Sequence, residues 1–142
     1  SCAQSHDAEQ TVVNEFVQAM YKPVNFKTMQ SLYVDFPFMS VNRADAHEIR
    51  SIKKDGENVI VEVHSYWEKS NGQKISNDFL LKLKKEEGFW RIINSKNLSN
   101  IKGSYSGGLE YAIANGMLEE SDDLWDVELI TILKKAKKEL SK

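Results

Sequence analysis

Residues 46–67 read AHEIRSIKKDGENVIVEVHSYW. Val59, Val61 and Val63 recur at every second position, the period of a strand with one buried face. Asp55-Gly56 interrupts the run with the residue pair that a tight hairpin turn favours. The stretch therefore predicts strand, turn, strand. Its first strand is out of step, because Ile49 and Ile52 lie three apart. One extra residue in a β-bulge reconciles them. Residues 68–96, EKSNGQKISNDFLLKLKKEEGFWRIINSK, repeat the device with turns at Asn71-Gly72 and Glu87-Gly88. The regular turn spacing makes a meander of about four antiparallel strands.

The flanks change period. Upstream, Val13, Phe16, Val17 and Met20 recur at helical spacing behind Asp7 and Gln10, which read as a capping box. Asn25 serves as N-cap for a short second helix with Phe26, Met29 and Leu32 on one face. Val34 to Met39, broken by Pro37, reads as a connection packed on the core. Downstream, SYSGGLEYAIANG (104–116) holds a short helix ending at Gly116, and SDDLWDVELITILKKAKKEL (121–140) a long one. Trp125, Leu129, Ile132, Leu133, Ala136 and Leu140 form the apolar face of the latter. Asp122, Asp123 and Asp126 at its start and four lysines near its end suit the helix dipole.

The predicted fold class is α+β: N-terminal helices packed on a curved antiparallel meander sheet, with an additional C-terminal helical segment. Residues 1–6 are expected to be a flexible tether and 7–142 a single domain, with its core over 7–100 and C-terminal helices over 104–142. A chain of 142 residues with 41% hydrophobic and 28% charged residues can bury such a core without staples. A net charge of −2 gives no electrostatic case for nucleic acid or an anionic membrane. No apolar run approaches the length of a membrane span.

Candidate site residues follow from sorting strand faces. Val59, Val61, Val63 and Trp67 share one face with Ser65; Ile75, Phe79, Leu81 and Leu83 share one with Asn77. Trp90 and Ile92 are assigned inward, which takes Asn94 with them. The inner polar groups are then Ser65, Asn77 and Asn94, which form hydrogen bonds but do not transfer protons at neutral pH. Glu62, His64, Asp78 and Arg91 fall on the outer face, as cross-strand pairs. Tyr21, Tyr33 and Asp35 remain as groups at a cavity mouth, although Asp35 before Pro37 has the habit of a turn residue. Trp67, Phe79 and Trp90 are core or pocket-wall side chains. His6, His47 and His64 have no partner at metal-ligand spacing, so no metal or cofactor is expected. SYSGG lacks the lysine and spacing of a phosphate loop and reads as a connection with a helix start.

Two resemblances add to this. Cys2, the one cysteine, heads the polar run Ala3-Gln4-Ser5-His6-Asp7. This resembles a mature bacterial lipoprotein, in which the thiol carries diacylglycerol and the following residues act as a tether. It implies a lipid on Cys2 and a place in the cell envelope, facing periplasm or exterior, with the membrane reached only through that lipid. The alternative is an ordinary thiol on a frayed end. Two helices, a meander and the run Gly88-Phe89-Trp90-Arg91-Ile92 also resemble the nuclear transport factor 2-like, or cystatin-like, superfamily over residues 7 to 100. That resemblance implies a sheet wrapped around the helices as a cone. The tail from Ser104 to Lys142 departs from the family plan, which ends on a strand. It is expected to plug the cone or to cover the sheet edge.

The expected function is a non-catalytic exported domain that binds a partner protein or a small apolar ligand in or over the cone. The alternative implied by the superfamily is an isomerase- or dehydratase-like enzyme, with Asp35 and Tyr33 or Tyr21 as acid and base. A homodimer through the outer sheet face, using His64, Tyr66 and Arg91, is also among the superfamily's habits.

Overall fold

The computed structural model describes residues 5–37 and 39–142. Cys2, with most of the expected tether, lies outside the described residues, as does Phe38 in the connection before the sheet. The elements run α1 (Asp7–Gln18), α2 (Phe26–Leu32), β1 (Ala46–Asp55), β2 (Asn58–Glu68), β3 (Lys74–Glu86), β4 (Phe89–Lys96), α3 (Ile101–Ser104), α4 (Ser106–Ala114) and α5 (Asp126–Leu140). The four strands form one antiparallel sheet in the order β1-β2-β3-β4, so the fold class is α+β with a meander sheet. No helix among the described residues is long and apolar enough to cross a membrane.

The turns lie where glycine permits them. Asp55 pairs with Asn58, so the first turn is Gly56-Glu57, one residue later than the sequence reading places it. At the last turn Glu87 and Gly88 both take positive φ, 51° and 84°, whose twist matches that of the flanking strands. The first bulge is where Ile49 and Ile52 require it: the register passes from Ile49↔Val63 to Ser51↔Glu62, leaving Arg50 as the extra residue. A second bulge is not evident in the sequence. Lys82 pairs with Asn94 but Leu83 with Ile92, so Ile93 is the extra residue in β4. This reverses the faces beyond Ile92. Asn94, assigned inward, instead lies across from Lys82 on the outer face, and Ser95 turns inward across from Leu81.

Against the inner face pack Val13, Phe16 and Val17 of α1 and Met20 just beyond it, with Met29 and Tyr33, all fully buried. They meet Val59, Val61, Val63, Phe79, Leu81, Leu83 and Ile92. Each large side chain so buried stabilises the fold by about 1.5–3 kcal/mol. The capping details differ between the helices. Asn25 Oδ1 accepts from the Thr28 N–H at 3.1 Å, as expected of an N-cap. At α1 the N-cap is His6 rather than Asp7, its side chain makes no capping bond to the backbone, and His6 Nδ1 meets Glu9 Oε2 at 2.6 Å. Phe26, expected on the buried face of α2, is 47% exposed.

The C-terminal segment does not plug the sheet. The space there is taken by α1 and α2, while α5 packs on α4 and makes a second cluster with Ile101, Ala112, Leu118, Leu129, Ile130, Leu133 and Ala136. Met39 touches both clusters. At the edge strand β4, the Val34 N–H donates to the Ile92 carbonyl at 2.8 Å. Gly107 and Gly108 lie within α4, not in a connection before it. A side chain at Gly108 would place its Cβ 3.0 Å from the Leu133 carbonyl oxygen, so this glycine sets how closely α4 and α5 approach.

Candidate functional site

Three constellations collect the polar and aromatic groups singled out from the sequence. The first is buried. Tyr33 is brought to β4 by the turn after α2, and its phenol meets Ser95 Oγ at 2.8 Å. Ser95 Oγ donates to Asp126 Oδ2 at 2.7 Å. The same carboxylate accepts from the backbone N–H of Asn97 at 3.2 Å and of Leu98 at 3.3 Å. Asp126 is thus not a solvated helix-start charge; only 3% of it is exposed. Burial pushes its pKa up, while the bonds from Ser95, Leu98 and Asn97 and the charge of Lys96 pull it down. Burial also pushes the Tyr33 pKa up, beyond any physiological pH. Asn94, though outside, joins the same junction: its Oδ1 accepts from the Val127 N–H of α5 at 3.2 Å and the Ser95 N–H at 2.9 Å.

The second constellation joins α1 to the start of β1. Tyr21 Oη meets His47 Nδ1 at 2.5 Å, and His47 Nε2 meets Asn14 Oδ1 at 2.8 Å. With Asn14 as acceptor, neutral His47 carries its proton on Nε2 and accepts the Tyr21 hydroxyl proton at Nδ1. Burial pushes the His47 pKa down. Burial first, then Tyr66 and Asp45, pushes that of Tyr21 up. Both ring nitrogens are occupied. Among the described residues no group of three or more His, Cys, Asp or Glu side chains is placed to hold a metal ion.

The remaining candidates are spread apart. Ser65 is buried and donates to the Asn77 carbonyl at 3.3 Å, and the Asn77 amide donates to the Asn97 carbonyl at 3.1 Å. Phe79 is core. Trp67 is half-buried beneath the Arg43 guanidinium, 5.0 Å from its ring centre. Asp35 is exposed, in a turn at φ 52°, so the structure brings it to no cavity beside Tyr33. On the outer face His64 and Asp78 pair across β2 and β3 at 2.6 Å. Ser95 and Asp126, the centre of the buried network, are the residues the sequence reading missed.

The third constellation is a surface groove between α2 and the connection that follows it. Its volume is about 400 Å³, and it is lined by Phe26, Gln30, Phe36, Met39 and Ser40. Phe36 anchors its floor by packing edge-on against Tyr33, ring centres 5.1 Å apart. Trp90 walls two further clefts at the hairpin end of the sheet.

No protein-family model matches the chain, and no curated protein matches it.

Two outcomes follow from the polar clusters. Asp126→Ala leaves Ser95 and two backbone donors without an acceptor and should lower the unfolding free energy by about 3 kcal/mol, with Asp126→Asn costing about half as much. Urea unfolding measures both. The His47 site adds a pH dependence. Its folded pKa lies below its unfolded 6.5, so the unfolded chain takes up a proton first as pH falls. The contribution is present above pH 6.5 and is lost as pH drops toward the folded value. Unfolding midpoints from pH 7.5 down to 5 should fall more steeply for the parent chain than for His47→Gln. Equal slopes would rule out the neutral, buried imidazole.

Proposed function

We propose that the protein is a non-catalytic binding domain of the cell envelope. It is tethered through a lipid on Cys2 and takes a small apolar ligand, or an apolar side chain of a partner protein, into the Phe26 groove. One observation carries the binding part. The inner face of the sheet is filled by fully buried side chains, while beside it stands a groove of about 400 Å³ walled by Phe26, Phe36 and Met39. Ligand sites are of this size and apolar character. Phe26 contributes little to the core at 47% exposure, so an aromatic ring there suits contact with something else. The described residues of the groove include no acid or base, which supports binding over proton transfer. The tether part rests on Cys2, the single cysteine, followed by small and polar residues.

The groove is tested with a neutral fluorescent apolar probe, 1-aminoanthracene. Saturable binding of one probe per chain is expected, weakened about tenfold by Phe26→Ser together with Met39→Ser. Phe26→Ser alone should leave the unfolding midpoint unchanged. Binding that ignores both substitutions would remove the groove from the proposal. The tether is tested separately by mass spectrometry under denaturing conditions on protein from its own cells. A lipid-sized excess that disappears in Cys2→Ala is expected, and a bare mass would contradict it.

A further inference from the structure

The inner face of the sheet does not stay apolar to its end. Lys54 lies across from Val59, two residues after Ile52 on the same face of β1. Lys85 lies across from Trp90, two residues after Leu83 on the same face of β3. Period-two alternation therefore turns two lysines inward at the hairpin end, under the first turn of α1. There they line a cleft of about 400 Å³ with His6, Glu9, Asn58 and Trp90.

The cleft is lined by two lysines and two glutamates, but the lysines are not paired with the glutamates. Neither Lys54 nor Lys85 pairs with a carboxylate within 4.0 Å among the described residues. Of the two acids on the cleft, Glu9 is buried and bonded to His6 at 2.6 Å, and Glu57 sits on the exposed turn. Asp7 and Glu9 in the first turn of α1 offset the positive end of that helix, so the attraction for a ligand rests on the two ammonium groups. The complement of the unpaired lysines is an anion.

Trp90 also walls a second cleft, of about 420 Å³, on the α2 side. Ala8, Val12, Leu32 and Phe89 line it, with Arg91. Phe89 is 69% exposed, the most exposed large apolar side chain among the described residues. A compartment with two unpaired lysines and an apolar one thus share a single indole.

We propose that the two clefts form one site for a single-chain anionic amphiphile. The head group sits between Lys54 and Lys85. The chain crosses Trp90 and lies on Val12, Leu32 and Phe89. The site is separate from the Phe26 groove and stands whether or not that groove binds anything. The lysines hold the head by charge-assisted hydrogen bonds, in a partly exposed setting that salt screens. The chain is held by burial, which salt does not weaken.

The test is calorimetric titration of the purified chain with decanoate, decyl phosphate and decanol, which share one tail. Decanoate or decyl phosphate is expected to bind once per chain and about tenfold more tightly than decanol. The tighter of the two identifies a fatty carboxylate or a phosphate-headed lipid as the source. Lys54→Gln with Lys85→Gln should bring the anion down to the decanol affinity and remove its salt dependence. Phe89→Ser should weaken all three probes, and Phe26→Ser none. These residues are exposed, so the folded state is checked by an unchanged unfolding midpoint. Equal affinity for decanol and the anions would overturn the proposal, as would no binding. Loss of binding in Phe26→Ser but not in the lysine variant would move the ligand to the other groove and also overturn it.

Discussion

The buried carboxylate of Asp126 is the central one of the contacts that join the C-terminal helices to the sheet. It sits at the first turn of α5 and accepts from Ser95 on β4 and from the amides of Asn97 and Leu98 just beyond it. Ser95 in turn bonds Tyr33, which follows α2. One carboxylate therefore ties together the N-terminal helical layer, the edge strand and the C-terminal hairpin. Burying an ionised group carries a desolvation penalty that only well-placed donors offset. Three donors and the positive end of α5 supply that here. Removing any one strands the others, so the junction acts as a unit.

This junction and the packing around it decide where binding can occur. With Phe16, Tyr33, Phe79 and the Val59–Val61–Val63 row fully packed, the inner face offers walls only where packing stops. Two of the openings around it, among the described residues, suit a ligand. Beside α2 the chain exposes Phe26 over Phe36 and Met39. At the hairpin end the apolar rows of β1 and β3 give way to Lys54 and Lys85 beside Trp90. The first opening is mainly apolar and carries no charged side chain among its described residues; the second joins charge to an apolar surface. That difference is why the two are assigned different ligand chemistries.

Much of this was legible in the sequence because period and turn chemistry are local. The meander, its three glycine turns, the bulge at Arg50 and the buried face of α1 all follow from residue spacing. The bulge at Ile93 did not. Ile92 and Ile93 are both apolar, so either parity of β4 buries an isoleucine, and nothing local reveals that Asn94 points outward and Ser95 inward. Asp126 was hidden for a similar reason. An acid at a helix start satisfies the dipole whether it faces water or the core. Asp35 was read as a choice between cavity acid and turn residue, and its positive φ and exposure place it in the turn. The inward lysines were within reach of the alternation rule, since Lys54 follows Ile52 and Lys85 follows Leu83 by two residues. They sit past the last apolar residue of each strand, where a pattern sought in apolar residues ends.

Amide hydrogen exchange of the folded chain tests the junction most directly. The amides of Asn97 and Leu98 lie beyond the end of β4 and have Asp126 as their acceptor. If the carboxylate holds the two parts together, these amides should exchange as slowly as those of Leu81 and Val61 in the sheet centre. Exchange of Asn97 and Leu98 as fast as Glu57 or Asn71 at the turns would mean that α5 leaves β4 readily, contradicting the junction as the fold's organising contact.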